Sequence, residues 1–417
     1  MNFRDSLAYL DSLANLEKIR ILAGNRLLNL DRMHYLVNLF GHPEKQFFPV
    51  LIVGTKGKGS TGFFLQSILN AAGISAGFYS SPHLETPLER IRLRGRQISV
   101  RLWTRTLGHI KKTLDRHPLP GKLGQMTYFE ALTLAALLVF REEGMEVGVL
   151  EAGLGGRLDA VNAVDASLVI VTTVGLDHEE FLGNTVEKIA AEKAGVFRRG
   201  IEIITSPQKA GAGRVLRECA GRAGAKLREV RPARGLKIGL RGEFQKNNAA
   251  AALEAARLTA RALGKQIPEK ALRQGLRASQ WPARVEVFPG KPEVILDAAH
   301  NPDSALALTE ALRKLKSKPT CLVFGVSRDK NSAAMLKSLS RAAHAVVLSG
   351  TNSPRAKGPG ELLAEAQRLF EVIVPSPGSS REAFRTACEM AGPSGRVVVT
   401  GSFYLAGEVR PLLTAGN

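Results

Sequence analysis

The stretch VGTKGKGST, residues 53–61, follows the apolar run PVLI at 49–52 and contains three glycines, two lysines and a Ser-Thr pair. A glycine-rich turn between a strand and a helix is typical of a phosphate-binding loop, because its backbone N–H groups can point at an anion. The next segment, STGFFLQSILNAAG, would supply a helix N-terminus with its partial positive charge. The plainer alternative is a tight strand-to-helix turn whose lysines are solvated.

The spacing of this loop differs from the common form G-x-x-x-x-G-K-[ST], since Gly59 lies between Lys58 and Ser60. We still expect Lys58 to place a positive charge on the outer phosphates of a nucleotide. The loop alone identifies neither the nucleotide nor the reaction.

Apolar runs rich in valine and isoleucine recur along the first two thirds of the chain and alternate with helix-like segments. Uniformly apolar runs are typical of strands buried on both faces, and intervening helices indicate right-handed parallel crossovers. The sequence therefore predicts an α/β protein whose first domain is a P-loop-type, mostly parallel sheet flanked by helices. The pattern begins again near residue 290, which predicts a smaller, Rossmann-like α/β domain. We expect loops of both domains to face a shared cleft.

A chain of 417 residues is longer than one core usually supports, so two domains are expected. We place the first at 1–281, with an N-terminal helical segment, a linker at 282–289 and the second domain at 290–417. Trp281-Pro282 and the run PGKP at 289–292 interrupt both helix and strand.

The composition is that of a globular chain, with 44% hydrophobic and 23% charged residues. The start shows no secretory signal, and the most apolar stretch, 131–140, is too short to span a bilayer. We therefore expect a soluble, cytoplasmic protein that does not associate with membranes. Cys219, Cys321 and Cys388 lie far apart and are expected to be reduced, with no metal role.

The net charge of +20 is compatible with nucleic acid, with anionic substrates or with an arginine-rich proteome. The basic residues are spread along the chain, and no helix-turn-helix or aromatic-interleaved basic motif is present. Anionic small molecules are therefore the favoured partners, and no nucleic-acid binding is expected.

Further polar residues follow apolar strands, begin helices or lie within a helical segment. Glu151 ends a strand, where an isolated carboxylate would be costly unless it met a cation or a metal. Asp177 and His178 end another strand and are candidates for metal or phosphate contacts, or for a simple helix cap. Lys193, inside a helical segment, first suggests a solvated lysine. Polar residues also lie near the domain boundary. Each could contact a ligand, but an ordinary structural role explains each at least as well: Gln245, Asn248, Arg284, Asp297 and His300.

Taken together, these stretches resemble the folylpolyglutamate synthase and dihydrofolate synthase family of the Mur ligase superfamily. Ten motifs match in order, which makes chance agreement very improbable: GTKGKGS, YSSPHL, ERIR, MTYFEALT, LEAGLGGRLDAVN, GLDH, EKAGVFR, DAAHNP, GVSRDKN and TGSFY. The resemblance implies ATP-dependent ligation of L-glutamate to a pterin carboxylate through an acyl phosphate. It also implies ATP as co-substrate and two Mg²⁺ ions, with a monovalent cation as a further candidate.

The resemblance assigns roles to individual positions. Positions matching the family's ATP contacts are Gly57, Lys58, Gly59, Ser60, Asn248, Arg284 and Asp297. Those matching its metal ligands are Ser81, Glu151, His178 and Lys193, the last as a carbamate. Those matching its pterin pocket are Thr127, Tyr128, Phe129, Glu130 and Leu158. Arg90, His300 and Ser402 match positions that can face glutamate. The set expected to act in catalysis is Lys58, Glu151, His178, Lys193 and Arg284.

Two positions depart from the family pattern. Lys56 stands where the family usually has asparagine in GTNGKG, and Ala283 replaces a glycine before the linker arginine. Alanine has the narrower conformational range, so the flexibility of the linker is put in question.

The resemblance makes a bifunctional dihydrofolate synthase and folylpolyglutamate synthase the first hypothesis, with a monomer as the default state that the family implies. A folylpolyglutamate synthase alone is the nearest alternative, followed by another Mur-type amino-acid ligase. A basic nucleic-acid-binding module with a degenerate nucleotide site is the alternative from a different class.

Overall fold

The structure is a computed structural model that describes residues 1–15, 28–279, 281–376 and 378–414. The chain divides into two compact units, which are described separately. The first unit comprises Met1–Pro82, Leu88–Ile238 and Lys246–Ser279. The second comprises His83–Pro87, Gly239–Gln245 and Gln280–Asn417.

The first unit is built on an eight-stranded sheet. Its strands are β1 (Phe48–Val53), β2 (Ala76–Tyr79), β3 (Ile91–Leu93), β4 (Arg96–Gln97), β5 (Val147–Glu151), β6 (Leu168–Val171), β7 (Glu202–Thr205) and β8 (Lys226–Glu229). The spatial order is β4-β3-β2-β5-β1-β6-β7-β8. The six strands from β2 to β8 in this order run parallel, and β3 and β4 extend one edge in antiparallel pairing. The predicted mostly parallel sheet is confirmed.

Helices of the first unit precede the sheet, connect its strands or follow its last strand. They are α1 (Phe3–Asp11), α2 (Leu30–Leu39), α3 (Lys58–Ala71), α4 (Val100–Arg116), α5 (Tyr128–Glu142), α6 (Glu179–Leu182), α7 (Val186–Ala194), α8 (Ala210–Ala223), α9 (Gln245–Ala262) and α10 (Glu269–Ala278). Short 3-10 helices lie at Pro43–Gln46, Pro87–Arg90, Gly121–Leu123 and Ala160–Ala163.

Strand β1 is central in this sheet, and its residues Val50–Val53 are fully buried. Both of its faces are covered, which explains why its sequence is uniformly apolar rather than alternating. The same uniform pattern makes β5 and β6 recognisable in the sequence.

The second unit contains a six-stranded sheet in the order β13-β12-β11-β14-β10-β9. Its strands are β9 (Glu286–Phe288), β10 (Glu293–Leu296), β11 (Thr320–Phe324), β12 (Ala345–Ser349), β13 (Val372–Ser376) and β14 (Arg396–Thr400). Its helices are α11 (Pro302–Arg313), α12 (Ser332–Leu339), α13 (Pro359–Ala366), α14 (Ser380–Ala391) and α15 (Phe403–Thr414). All neighbouring strands are parallel except β9 and β10.

Alternate residues of β11 belong to two separate apolar clusters of the second unit. Leu322 and Phe324 pack into one cluster, whereas Cys321 and Val323 pack into the other. Side chains of a strand point alternately to the two faces of a sheet. The second sheet is therefore covered by helices on both faces, and the predicted second α/β domain is confirmed.

The predicted linker at 282–289 needs a correction. Residues Glu286–Phe288 form β9, which pairs with Leu296, Ile295 and Val294 of β10. This segment is therefore an edge strand of the second unit and not a free connection. The strand was not predicted from the sequence because it is only three residues long and lies next to a Pro-Gly turn.

No helix within the described ranges is both long enough and apolar enough to cross a membrane. The three cysteines are free thiols, and Cys321 is buried.

Candidate active site

Four of the predicted site segments follow four neighbouring strands of the first sheet. In spatial order, β2 leads to Ser81, β5 ends at Glu151, β1 leads to the glycine-rich loop and β6 leads to the segment with Asp177 and His178. The carboxyl ends of parallel strands lie at one edge of a sheet, which is where ligands bind in such folds. The structure therefore brings these segments together on one edge.

The glycine-rich loop requires glycine at residue 57. Gly57 adopts a left-handed conformation with φ 86° and is the N-cap residue of α3. A Cβ atom there would lie 2.3 Å from Oδ1 of Asn248, on α9. Asn248, predicted to contact ATP, therefore packs directly against the loop. The Lys58 ammonium donates to the Gly54 carbonyl oxygen at 3.1 Å, which folds its side chain over the same turn.

Glu151 is a buried carboxylate at the end of β5, with 4% of its surface exposed. Its Oε2 accepts a hydrogen bond from the backbone N–H of Ser81 at 3.3 Å. Strand β5 lies between β2 and β1, so this carboxylate stands beside both the serine and the glycine-rich loop. Carboxylate and hydroxyl oxygens are hard donors of the kind that Mg²⁺ binds, so these two residues fit a divalent cation.

No group of three His, Cys, Asp or Glu side chains placed to hold a metal occurs in the described part of the chain. The predicted set contains only two such residues, Glu151 and His178, because the other two predicted ligands are Ser81 and Lys193. The observation is therefore compatible with the predicted set, which stays a prediction.

His178 lies at the exposed N-terminus of α6 and has a left-handed backbone, with φ 52°. Its side chain makes no cap hydrogen bond to the helix. Its backbone N–H donates instead to Oδ1 of Asp177 at 3.1 Å. The helix-cap alternative is thus not observed for the His178 side chain. A left-handed non-glycine residue stores strain, which is common at functional positions.

Lys193 is buried at the end of α7, with 3% of its surface exposed, so the solvated-lysine interpretation is wrong. Burial, together with the positive charge of Lys58, lowers the pKa of its ammonium to about 7. The charges of Asp177 and Asp159 oppose this shift. These four side chains therefore form one electrostatic group, although they come from four separate segments of the sequence.

Asp159 is a member of this group that the sequence analysis missed. It is 3% exposed, and burial raises the pKa of its carboxyl group to about 6. Backbone N–H groups of Leu154, Val161 and Gly153 and the charge of Lys58 oppose the shift. The signal was present in the sequence, because an aspartate directly after a glycine-rich turn often accepts from the backbone of that turn.

The glycine-rich loop after β5 is locked to the end of α7. A Cβ atom on Gly156 would lie 2.9 Å from the Lys193 carbonyl oxygen, and one on Gly195 would lie 2.4 Å from Cβ of Arg157. The Arg157 N–H donates to the Glu192 carbonyl oxygen at 2.9 Å. The two motifs GLGGRLD and EKAGVFR are therefore parts of one packed unit that fixes Lys193.

Thr127 and Glu130, both assigned to the pterin pocket, have structural contacts of their own. They form a capping box at the start of α5. The Glu130 carboxylate also accepts from Nε and Nη2 of the buried Arg32 at 2.7 and 2.8 Å. Arg32 in turn donates to the Leu123 carbonyl oxygen at 2.8 Å. These contacts fix the backbone at the start of α5.

Of the other predicted pterin residues, Phe129 lies near the glycine-rich loop after β5, and Tyr128 lies near Arg90. A Cβ atom on Gly153 would lie 2.7 Å from the Phe129 ring, so this ring packs against the loop. The buried Arg90 guanidinium lies over the Tyr128 ring, with Cζ 5.4 Å from its centroid. Leu158 is 37% exposed. The roles of these residues in binding stay predictions.

In the second unit, Arg284, His300 and Phe403 lie together. The Arg284 Cζ lies 5.1 Å from the Phe403 ring centroid, and the His300 ring lies 5.5 Å from it. Ser402, predicted to face glutamate, accepts from the Leu405 N–H at the start of α15. Arg284, His300 and Ser402 are thus near neighbours, whereas their ligands stay predictions.

Asp297 holds the backbone on both sides of its strand end. Its two oxygens accept from the N–H groups of Val285 and Ala299, each at 2.9 Å. Burial raises the pKa of this carboxyl group, although the positive charge of Arg284 opposes the shift. Ala283 and Val285 both have left-handed backbones, with φ 52° and 48°. The conformation at Ala283 is one that glycine adopts more readily, which accounts for the glycine expected there.

The main chain of Lys56 pairs with the segment after β6. Its N–H donates to the Thr173 carbonyl oxygen at 3.2 Å. This bond does not depend on the side chain, and nothing in the structure explains why lysine replaces asparagine here.

Two protein-family models match this chain. Residues 52–203 match the model of the Mur ligase middle domain, and residues 283–403 match that of the Mur ligase glutamate ligase domain. The fold described above is thus that of a Mur-type ligase.

The curated relatives narrow this class. The dihydrofolate synthase/folylpolyglutamate synthase of Bacillus subtilis is 32% identical over 413 residues, which cover 92% of this chain and 94% of the relative. The chain therefore belongs to the folylpolyglutamate synthase and dihydrofolate synthase family, as its motifs predicted.

Solved structures agree over nearly the whole chain. Mycobacterium tuberculosis folylpolyglutamate synthase complexed with ADP has a TM-score of 0.88 at 28% identity, covering 99% of this chain and 98% of that one. A bifunctional folylpolyglutamate synthase/dihydrofolate synthase with Mn, AMPPNP and L-glutamate bound has a TM-score of 0.85 at 30% identity, with coverage of 99% and 98%.

Proposed function

We propose that this protein is a bifunctional ligase that joins L-glutamate first to dihydropteroate and then to reduced folates that already carry glutamate. ATP is the co-substrate, and ADP and phosphate are released. The observation that carries this proposal is the grouping of the glycine-rich loop, Ser81 and Glu151 on neighbouring strand ends, beside the buried Lys193.

The reaction divides into two steps. An oxygen of the substrate carboxylate attacks the γ-phosphorus of ATP, so that ADP leaves and an acyl phosphate forms. The amino nitrogen of glutamate then attacks the acyl carbon, and the tetrahedral intermediate loses phosphate and a proton to give the amide. Neither step needs a covalent nucleophile from the protein, so positioning and charge stabilisation are its contribution.

The residues of the chain supply that contribution as follows. The loop from Gly57 to Ser60 would hold the phosphates through backbone N–H groups, with Lys58 on the outer phosphate. On binding, Lys58 exchanges its contact with the Gly54 carbonyl oxygen for one with the nucleotide. In the second unit, Arg284 and Asp297 are the proposed phosphate and ribose contacts.

A divalent cation, when bound, neutralises charge on the phosphates. The proposed ligands are Ser81, Glu151, His178 and a carbamate on Lys193. The lowered pKa of Lys193 supports the carbamate, because only the neutral amine reacts with carbon dioxide. In that reaction the lysine nitrogen bonds to the carbon of carbon dioxide and one proton is released, which converts a cation into an anion. Relatives with Mn and AMPPNP or with ADP support nucleotide and metal binding by this chain.

The test is an assay of purified protein with ATP, Mg²⁺, L-glutamate and either dihydropteroate or tetrahydrofolate as acceptor. We expect ADP release with both acceptors and a product heavier by one glutamyl unit. Release only with tetrahydrofolate would reduce the function to folylpolyglutamate synthase. Release with neither, by a protein that binds ATP, would reject the proposal.

Another Mur-type amino-acid ligase is distinguished by thermal-shift measurements. Stabilisation by nucleotide-linked muramic acids but not by pteroates would favour that alternative. A monomeric state and a cytoplasmic location also belong to the proposal, and analytical ultracentrifugation and cell fractionation test them.

A further inference from the structure

The segment 172–178, which runs from the end of β6 to the start of α6, carries Asp177 and His178. We call it the β6–α6 loop. The neighbouring strands β1 and β7 end at Val53 and Thr205. Beyond these points the loop has lost its neighbouring strands, so its buried backbone N–H and C=O groups need other partners. Val174 and Gly175 are both buried.

One partner is the Thr55 hydroxyl, on the side of β1. Its Oγ1 donates to the Gly175 carbonyl oxygen at 3.0 Å and accepts from the Gly175 N–H at 3.1 Å. The Thr55 N–H also donates to the Thr173 carbonyl oxygen at 3.0 Å. One side chain thus satisfies both backbone groups of Gly175, two residues before Asp177.

The second partner is the Gln208 carboxamide, on the side of β7. Its Oε1 accepts from the Val174 N–H at 2.9 Å, and its Nε2 donates to the Thr172 carbonyl oxygen at 2.9 Å. Nε2 also donates to Oγ1 of Thr205, the last residue of β7, at 3.1 Å. The Gln208 side chain therefore forms hydrogen bonds with the loop backbone beyond the point where the pairing of β6 with β7 ends.

We propose that Thr55 and Gln208 are positioning residues that hold the β6–α6 loop from both sides and thereby set the place of Asp177 and His178 at the nucleotide and metal site. Thr55 belongs to the glycine-rich loop, so it links the placement of His178 directly to the phosphate-binding turn. Four side-chain hydrogen bonds to the loop backbone carry this role. The inference rests on the proposed function only for the role of Asp177 and His178 at the nucleotide and metal site.

Neither Thr55 nor Gln208 is charged or belongs to the predicted ligands. Substituting them therefore tests the proposal without removing a ligand. Thr55→Val keeps the shape of the side chain and removes the hydroxyl, whereas Thr55→Ser keeps the hydroxyl. Gln208→Leu keeps a similar size and removes all three hydrogen bonds of the carboxamide, two of which are to the loop backbone. A buried N–H left without its acceptor is destabilising locally, so the loop should open more often.

The first measurement is amide hydrogen exchange across 172–178, which needs no ligand and no activity. We expect about tenfold faster exchange in Thr55→Val and in Gln208→Leu, with Thr55→Ser close to wild type. Exchange in β1, β6 and β7 should stay unchanged. Unchanged loop exchange in both variants, or equal acceleration in Thr55→Ser and Thr55→Val, would overturn the proposal.

The second measurement is Mn²⁺ binding by electron paramagnetic resonance in the presence of AMPPNP. We expect Thr55→Val and Gln208→Leu to weaken Mn²⁺ binding about tenfold while AMPPNP binding changes less than twofold. Loss of AMPPNP binding with unchanged Mn²⁺ binding would contradict the positioning role. A wild-type protein without ligase activity would reject the proposed function, whereas the exchange result would still decide the role of the two side chains.

Discussion

Gly156 and the carbonyl oxygen of Lys193 are so close that a Cβ atom on Gly156 would lie 2.9 Å from that oxygen. The same Cβ atom would lie 3.0 Å from the Glu192 carbonyl oxygen and from Cα of Lys193. All of these neighbours are backbone atoms, so they cannot rotate away as a side chain would. The position of Lys193 therefore depends on the absence of a side chain at residue 156.

This relationship predicts the result of Gly156→Ala. We expect a loss of about 1–3 kcal/mol in the free energy of unfolding, because α7 must shift to admit the methyl group. Ligase activity should fall more than stability predicts, since Lys193 moves with the helix. Urea unfolding and steady-state turnover measure the two effects.

Gly221→Ala is the matched control. Gly221 lies within α8, and a Cβ atom there would meet nothing within 4 Å. This substitution should stabilise the protein by about 0.5–1 kcal/mol and leave turnover unchanged. Equal stability changes in the two variants would contradict the close packing at Gly156.

Glu151→Gln should reduce turnover by about 10² or more, since it removes the negative charge next to Ser81 while keeping the shape and one acceptor oxygen. The melting temperature should fall little or rise, because a buried charge is replaced by a neutral amide. Glu142→Gln is the control, since Glu142 pairs with Arg105 on the surface. A folded Glu151→Gln protein with normal turnover would remove Glu151 from the proposed metal site.

The pKa of Lys193 predicts how stability depends on pH. Because its pKa is about 7 when folded and near 10.5 when unfolded, the unfolded state binds more protons between these values. The contribution of Lys193 to the free energy of unfolding should therefore rise with pH from about 7 to 10.5. The Lys193→Met variant lacks this contribution. The free energy of unfolding of the wild type should therefore rise relative to that of the variant over this range. Urea unfolding at pH 7, 8.5 and 10 in the absence of carbon dioxide measures the difference. A constant difference would show that the Lys193 ammonium is not perturbed.

Carbamylation is tested separately with ¹³C-labelled bicarbonate. The wild-type protein should give a carbamate carbon signal that is absent in Lys193→Met and retained in Lys188→Met, another lysine of α7. Turnover of Lys193→Ala should recover in part when short carboxylates are added. A carbamate signal that persists in Lys193→Met would place the modification elsewhere.

The ion pair between Arg32 and Glu130 predicts an unequal response to two arginine substitutions. Both partners are buried, with side chains 2% and 6% exposed, so Arg32→Met would leave a buried carboxylate without its cation. We expect a loss of about 3–5 kcal/mol in the free energy of unfolding. Arg105→Met removes surface ion pairs with Glu142 and Glu143 and should cost less than about 1 kcal/mol. Similar losses in urea unfolding would show that the Glu130 carboxylate is satisfied without Arg32.

Much of the fold could be predicted from the sequence, because its central strands are uniformly apolar and its helices lie between them. The short elements could not be. Strand β9 has three residues, and its identity comes from pairing with β10, which propensity cannot show. The tight turn after β1 could be predicted from its glycines, since the left-handed conformation at Gly57 is a local requirement, whereas phosphate binding by this loop stays a proposal.

The site divides in the same way. The sequence by itself determined which polar residues stand at strand ends, and parallel strands then bring such residues to one edge. It could not determine that Lys193 is buried near Lys58, Asp159 and Asp177, or that Arg32 meets a glutamate 98 residues away. Only the tertiary structure decided these points, because a pKa depends on the charges and the solvent around a group, and packing sets both.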